Sequence, residues 1–212
     1  DAAGVLGAEA FMIVHHPQWQ RARARVQDGA IGTLRHVRGA FCFNNAADTN
    51  NIRNRPETGG GSIRDIGVYT MGSTRFVSGQ EPTAVRASVE WDNGIDALTN
   101  VSADFPGFTL EAMTSMRLSP YQEMAFFGDL GTLRLTAPFN AGVYGEATVI
   151  LQDADAVVTT WRYPQVNHYV TQVEAFCAAM RGTDDYLCPL EFSKGTQAML
   201  DRVFEAAGPP TS

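Results

Sequence analysis

An aspartate and a tyrosine stand four residues apart in a predicted helix, and together they could move a proton. Asp65 and Tyr69 follow a run of three glycines at 59–61, and a spacing of four places both side chains on one helical face. A phenol can donate to or accept from a substrate oxygen, and a neighbouring carboxylate can orient the phenol or a substrate hydroxyl. The same pattern also fits a capped helix in which both side chains form ordinary structural hydrogen bonds.

A polar loop just before this helix carries groups that could bind a polyhydroxylated or phosphorylated ligand. Residues 50–57 contain three asparagines and two arginines, with Arg53, Asn54 and Arg55 adjacent. Guanidinium groups form strong hydrogen bonds with phosphate and other oxygens. The alternative is a solvated loop that its own side chains hold in place. His168, at the start of a later predicted helix, is a further polar candidate, or else a surface or capping histidine.

Other common catalytic and cofactor motifs are absent from the sequence. There is no G-x-G-x-x-G or Walker A motif, no C-x-x-C pair and no recognisable nucleophile motif. His15 and His16 are adjacent, so their side chains do not converge, and no third metal ligand stands at a suitable spacing. We therefore expect no metal site, and we expect no nucleotide site built from this chain alone.

The hydrophobic pattern around these residues predicts an α+β domain. From residue 82 the period of the apolar positions is two, which is typical of strands whose side chains alternate between faces. The predicted fold is an open, largely antiparallel sheet with helices on one face. The apolar run 5–14 predicts one further, buried strand. Helices are predicted at 16–28, 63–77, 170–181 and 192–207.

The predicted strands carry apolar side chains at both odd and even positions, and therefore on both faces of the sheet, which suggests self-association. Helices can cover only one face of the sheet, so we expect the other face to pack against a second copy in a homodimer or homotetramer. The residues on which this expectation rests are Val85 and Val89 against Trp91, Met113 against Met116, and Phe126 against Phe127.

Composition and charge limit the partners and the compartment. The formal net charge is −7, which argues against nucleic acid or an anionic membrane as partner. Three scattered cysteines, Cys42, Cys177 and Cys188, and the lack of a secretory signal indicate a reduced, cytoplasmic protein. The sequence begins without methionine and inside a predicted strand, so we expect it to be a piece of a longer protein.

Seven segments, in order over nearly the whole chain, resemble the family of glucose–fructose oxidoreductase and inositol dehydrogenase (the Gfo/Idh/MocA family). They are Ala8-Glu9-Ala10-Phe11-Met12, His16-Pro17-Gln18, Gly29-Ala30-Ile31-Gly32, Asn51-Ile52-Arg53-Asn54-Arg55-Pro56, Gly59-Gly60-Gly61 through Asp65 to Tyr69, Gly128 through Gly131-Thr132-Leu133, and Asn167-His168-Tyr169 through Glu174-Ala175-Phe176.

The resemblance implies a two-domain protein of which this chain is the second part. Residues 1–15 would be the remnant of the last strand of an N-terminal Rossmann domain, and residues 16–212 the substrate-binding and oligomerisation domain. The Rossmann domain of the family binds NAD or NADP and carries a catalytic lysine in a Glu-Lys-Pro motif. This sequence lacks that motif, and its single lysine, Lys194, does not match it.

The resemblance also implies a reaction, in which hydride passes between nicotinamide and a carbinol or carbonyl carbon of a sugar, polyol or cyclic diol. Many family members have a histidine where this chain has Tyr69, and the tyrosine is similar to the branch that contains xylose dehydrogenase and dihydrodiol dehydrogenase. Tyr69 would then move the proton, and Asp65 would orient the substrate or Tyr69. Residues expected at the mouth of the site are Arg53, Asn54 and Arg55, with His168 opposite.

Without the nucleotide-binding half, the resemblance implies an inactive chain. We expect it neither to bind NAD or NADP usefully nor to catalyse hydride transfer, with the pKa of Tyr69 near its ordinary value of about 10. The alternative function is a non-enzymatic ligand-binding or assembly module, which the missing nucleotide-binding half favours.

Overall fold

The strands predicted by the period-two pattern form a single mixed sheet, in a computed structural model that describes residues 4–209. The strand order is β2-β3-β4-β1-β5-β6-β7-β8. All neighbouring strands are antiparallel except β1 and β4, which run parallel. The strands are β1 (Leu34–Asn44), β2 (Ala84–Asp92), β3 (Ile95–Phe105), β4 (Phe108–Ser115), β5 (Arg117–Gly128), β6 (Gly131–Thr136), β7 (Ala147–Asp153) and β8 (Val158–Tyr163).

Helices cover one face of this sheet, which confirms the predicted α+β class. The helices are α1 (Pro17–Gln27), α2 (Val68–Ser78), α3 (His168–Met180) and α4 (Leu190–Ala207). Helix α4 packs on β2, α2 on β1, and α1 on β6 and β7. Between residues 4 and 209, no helix has the length and apolar character needed to cross a membrane.

The helix predicted at 63–77 begins with a wider turn than an α-helix has. Residues Ile63–Gly67 form a π-helical turn, and α2 continues from it to Ser78. Single π-helical turns often occur at functional sites, and Asp65 lies inside this one.

Two buried side chains at the start of α1 hold this helix against the part of the sheet that contains β6 and β7. The Gln18 amide donates to the carbonyl oxygens of Thr136 at 2.7 Å and Thr148 at 2.9 Å. The Trp19 indole donates to the carbonyl oxygen of Pro138 at 2.7 Å. The His16-Pro17-Gln18 segment therefore has a structural function, because it caps α1 and joins it to β6 and β7.

The apolar run 5–14 does not form the predicted strand. Ala8 makes a single bridge to Pro189, and Met12–His15 form a short 3₁₀-helix that is buried. A short, continuous apolar run has no periodicity that distinguishes a buried strand from a buried turn, and here the helices, not a sheet, cover it. Of the proposed domains, residues 1–3 and 210–212 lie outside the described part of the chain.

The open face of the sheet is more polar than the sequence suggested. Val85 and Val89 pack against the core on the helix-covered side, and Trp91 lines a pocket with Phe204 of α4. Apolar side chains were expected on both faces of β2, and this expectation was wrong. Val85, Val89 and Trp91 are all at odd-numbered positions, so they point to the same face of the sheet. Met116 and Phe126 are fully buried, whereas Met113 lines a groove on the open face.

Three of the four histidines are buried where α1, α3 and the 3₁₀-helix meet. The His15 ring lies 4.7 Å from the Tyr186 ring, and the His16 ring lies 6.2 Å from the His168 ring, measured between centroids. His15, His16 and His168 are at most 5% exposed. Neither ring nitrogen of His15 has a hydrogen-bond partner within residues 4–209, so protonation there would place an unbalanced charge in the interior.

Acidification is expected to destabilise the fold through this cluster. Burial lowers the pKa of His15 and of His16 from 6.5 to about 4, because a buried imidazolium is poorly solvated. Between pH 6.5 and about 4 the unfolded chain therefore binds more protons than the folded chain. The free energy of unfolding then falls as the pH falls, by on the order of 1 to 2 kcal/mol for each histidine.

Urea unfolding at several pH values between about 7.5 and 5 measures this loss. His16→Asn retains an acceptor for the start of α1 and removes one titrating group, so it should reduce the dependence on pH. His36→Gln, which removes a histidine outside this cluster, is the matched control. Equal pH dependence in the wild type and in His16→Asn would contradict the assignment.

Candidate active site

The Tyr69 ring is held by three other aromatic rings from distant parts of the chain. Its centroid lies 5.7 Å from that of Phe11, 5.5 Å from that of Phe41 and 5.6 Å from that of Phe139. The hydroxyl donates to Met12 Sδ at 3.7 Å. The ring is partly buried, and this aromatic cage of Phe11, Phe41 and Phe139 fixes the plane of the phenol.

Asp65 and Arg53 form an ion pair beside this tyrosine. Arg53 Nε donates to Asp65 Oδ2 at 2.7 Å, and both side chains are partly exposed. This hydrogen bond raises the pKa of Arg53, with a smaller contribution from the charge of Tyr69. The structure thus pairs Asp65 with the loop arginine, and both charges influence the pKa of Tyr69.

Burial raises the pKa of Tyr69 to about 12. The aromatic cage removes water from the phenol, which disfavours the phenolate. Tyr169, Asp65 and Glu9 raise the pKa further, and Arg53 lowers it. The expectation of a pKa near 10 was therefore wrong, because the sequence did not show how deeply the ring is buried. At neutral pH Tyr69 is protonated and can donate a hydrogen bond.

The other two loop residues are engaged within the loop itself. Asn54 Nδ2 donates to the carbonyl oxygens of Asn45 and Asp48, both at 2.9 Å. Arg55 Nε donates to Glu57 Oε1 at 2.7 Å in an exposed pair. Of the three adjacent loop residues, Arg53 alone contacts Asp65 in the described chain, and Asn54 and Arg55 support the loop around it.

His168 lies below the surface, whereas its neighbour Tyr169 is exposed. His168 packs against His16 and is 5% exposed, whereas Tyr169 is 58% exposed. Tyr169 and Glu9 both influence the pKa of Tyr69, and the sequence reasoning missed both. Glu9 lay within a segment that carried the family resemblance, and Tyr169 stood directly beside the histidine that was chosen.

The glycine run at 59–61 has no room for a phosphate group. A side chain at Gly60 would meet the carbonyl oxygens of Arg53 and Arg55, and one at Gly61 would collide with the Asp96 carboxylate. A dinucleotide site needs free backbone N–H groups at a glycine-rich turn between a strand and a helix. These residues therefore do not fit NAD or NADP. Within residues 4–209 there is also no group of three or more metal-ligating side chains.

A groove elsewhere in the domain shares no lining residue with this site. It has a volume of about 680 Å³ and crosses the open face of the sheet, where Arg38 and Glu123 line it. These two side chains pair with each other at 2.8 Å. Because Arg38 and Glu123 pair with each other, they have few hydrogen-bonding positions left for a substrate. The cluster at Tyr69 is therefore the better candidate for the active site.

Comparison with known proteins gives related oxidoreductases. The chain is 33% identical to an uncharacterized oxidoreductase of Rhizobium meliloti and 26% identical to D-xylose 1-dehydrogenase (NADP(+)) 2 of Haloferax volcanii. Each match covers 98% of this chain and 64% of the relative. The chain thus spans slightly less than two thirds of the length of these relatives.

Solved structures share the fold. The aldose-aldose oxidoreductase of Caulobacter crescentus, complexed with glycerol, superposes with a TM-score of 0.86 at 21% identity, over 97% of this chain and 63% of that one. A model of the GFO/IDH/MocA C-terminal domain matches residues 19–134, which is more than half of the chain and includes Arg53, Asp65 and Tyr69. The chain therefore belongs to the GFO/IDH/MocA family, as a C-terminal domain.

Proposed function

We propose that this chain is the substrate-binding part of an NAD(P)-dependent oxidoreductase that acts on a CH–OH group of a sugar, polyol or cyclic diol. The Arg53–Asp65 ion pair, near enough to Tyr69 to influence its pKa, carries the proposal. A relative named for D-xylose and NADP(+) supports the substrate class and the cofactor. NAD or NADP would be held mainly by a domain preceding residue 16, since the residues described here do not fit it.

In this proposal Tyr69 holds the proton that the substrate oxygen gains or loses. The aromatic cage keeps the phenol in one plane and excludes water from one side of it. Asp65, itself held by Arg53, is placed to accept a hydrogen bond from a substrate hydroxyl. An ordered carboxylate of this kind positions a polyol without losing freedom when the substrate binds.

The high pKa of Tyr69 determines what a second domain must supply. A general acid or base is most effective when its pKa is near the working pH. With a pKa of about 12 the phenol can hydrogen-bond to a carbonyl oxygen at neutral pH, but efficient proton transfer in either direction needs a lower value. A cation close to the phenol would lower the pKa, and the proposed N-terminal domain is where we place it.

We further propose that the remaining site residues shape the opening of this site. Arg53 holds Asp65, Asn54 and Arg55 order the loop, and His168 fixes the start of α3 so that Tyr169 faces Tyr69.

A reducing, cytoplasmic compartment is also proposed, and the three cysteines support it because none forms a disulfide within residues 4–209.

Replacing Tyr69 by phenylalanine in the complete protein tests the proposed chemistry. Loss of a proton-transfer group is expected to lower kcat by about 100-fold or more, while the aromatic packing is kept. Steady-state kinetics with aldoses and polyols measure the change, and Tyr121→Phe, on the open face, is the control. An unchanged kcat would remove Tyr69 from the reaction. No turnover of these substrates by the wild-type protein would favour the alternative, a ligand-binding or assembly module.

The isolated chain is expected not to bind NADH or NADPH. The glycine run is filled by the protein's own atoms, and the net charge of −7 weakly opposes an anionic ligand at physiological salt. Isothermal titration calorimetry of the chain with each cofactor measures this directly. Micromolar binding of either would show that a nucleotide site exists in this domain.

We also propose that the open face of the sheet packs against a second copy in a homodimer or homotetramer. Paired charges, Arg38 with Glu123 and Arg86 with Asp104, place both signs on this face and permit a self-complementary contact across a two-fold axis. Met113 lies in the groove between them and provides an apolar centre. Stable interfaces of this kind bury about 1,600 Å² in total.

Sedimentation equilibrium of the chain is expected to show a dimer or larger assembly at micromolar concentration. Met113→Glu should weaken the assembly by about tenfold or more, because it buries a charge that has no partner. Met180→Glu, at an exposed methionine on α3, is the matched control and should have no effect. A monomer in the wild type would refute the assembly.

A further inference from the structure

We propose that Asp96, at the start of β3, is a positioning residue for this site, because its buried carboxylate fixes the junction from which both Asp65 and Arg53 extend. It touches neither Tyr69 nor the space beside it. The catalytic consequence rests on the function proposed above, whereas the structural consequence can be measured in the chain by itself.

The helix carrying Asp65 has no cap from its own sequence. The side chain of Ser62, at the N-cap position of the π-helical turn, forms no capping hydrogen bond. Asp96 supplies the missing acceptor from a strand more than thirty residues away. Its Oδ2 accepts from Ile63 N at 2.5 Å and from Ser62 Oγ at 2.9 Å. A carboxylate is well suited to this place, since helix N-termini carry free N–H groups and partial positive charge.

The Asp96 carboxylate is buried without a cation among the described residues. Asp96 is 1% exposed, and it forms no ion pair within residues 4–209. A buried carboxylate with no counter-charge is costly unless hydrogen bonds satisfy it. The network around it continues to β4, where Thr114 Oγ1 lies 2.9 Å from Ser62 Oγ. Such a network has one geometry in which its members are satisfied, so it specifies the position of the turn.

The same junction also holds the backbone of the loop arginine, Arg53. Gly61 N donates to the carbonyl oxygen of Arg53 at 2.9 Å. Gly61 has φ +114° and lies so close to Asp96 that any side chain there would collide with the carboxylate. The backbone of Arg53 is therefore fixed to Gly61, and Gly61 packs on Asp96.

These contacts connect Asp96 to both members of the ion pair. Asp65 is two residues beyond Ile63, and the π-helical turn between them sets the direction of its side chain. Arg53 is fixed through Gly61. The bond between Arg53 Nε and Asp65 Oδ2 thus closes a ring of contacts in which Asp96 is the buried member. If Asp96 loses its charge or its acceptors, both ends of the ion pair gain freedom.

Hydrogen exchange at Arg53 Nε–H, followed by NMR in the ¹⁵N-labelled chain, tests this proposal. Arg53→Lys identifies the resonance. In Asp96→Asn we expect exchange of this proton to be about tenfold faster or more, because local opening becomes easier. Ser62→Ala removes one of the two donors to Asp96, so it should give a smaller change in the same direction. If Asp96→Asn does not fold, the exchange rate in Ser62→Ala alone decides whether Asp96 positions the ion pair.

Asp104→Asn is the matched control, because Asp104 lies on the same strand and pairs with Arg86 on the surface. It should leave the Arg53 resonance unchanged. A lower melting temperature in Asp96→Asn and Ser62→Ala with unchanged Arg53 exchange would overturn the proposal and leave Asp96 with a role in stability alone. Because this readout does not involve catalysis, it stands even if the complete protein proves to have no oxidoreductase activity.

In the complete enzyme, the proposal predicts a specific division of the kinetic effect. Ser62→Ala should raise KM for the substrate through a less ordered Asp65, and leave the pH at which Tyr69 titrates in the kcat profile unchanged. A normal KM in an enzyme whose Arg53 exchange is accelerated would show that the ion pair does not bind substrate, which would count against the proposed function and not against the role of Asp96.

Discussion

The packing of Tyr69 against Phe11, Phe41 and Phe139 is the interaction on which the rest of the site depends. Each ring comes from a different part of the chain, namely the N-terminal segment, strand β1 and the segment after β6. Aromatic rings at these separations prefer defined mutual orientations, so the phenol cannot rotate freely. The hydroxyl can reach a substrate only in the direction that this cage leaves open, and Arg53 and Asp65 stand close to it.

The same packing has an electrostatic consequence. Removing water from the phenol raises its pKa to about 12, and the acidic neighbours Asp65 and Glu9 act in the same direction. In this domain rigidity and reactivity are therefore opposed, because the burial that orients Tyr69 also makes it a weak acid. A two-domain enzyme can resolve the conflict if the second domain brings a positive charge when the substrate site closes. Under the proposed function, Tyr69 would then be activated only in the assembled site.

How much of this could be read from the sequence depended on the range of the interactions involved. The period-two pattern located the strands because alternation is a local property, and the i, i+4 spacing predicted Asp65 and Tyr69 on one helical face for the same reason. The run 5–14 was misassigned because a continuous apolar segment has no period to interpret. Asp96 could not be found, since its partners Ser62 and Ile63 are more than thirty residues away. The pKa of Tyr69 was missed because burial depends on three rings that only the fold brings together.

The parallel pairing of β1 with β4 explains why the site lies at one end of the sheet. Parallel strands end at the same edge, and here Phe41 pairs with Thr114 and Cys42 with Ser115. The loop that follows β1 therefore starts beside the end of β4, where Asn45 N donates to the carbonyl oxygen of Met116. Strand β3 is antiparallel to β4, so its beginning, and with it Asp96, returns to that edge. One topological choice thus brings the polar loop, the buried carboxylate and the cage residue Phe41 to a single edge, and α2 completes the site by crossing above it.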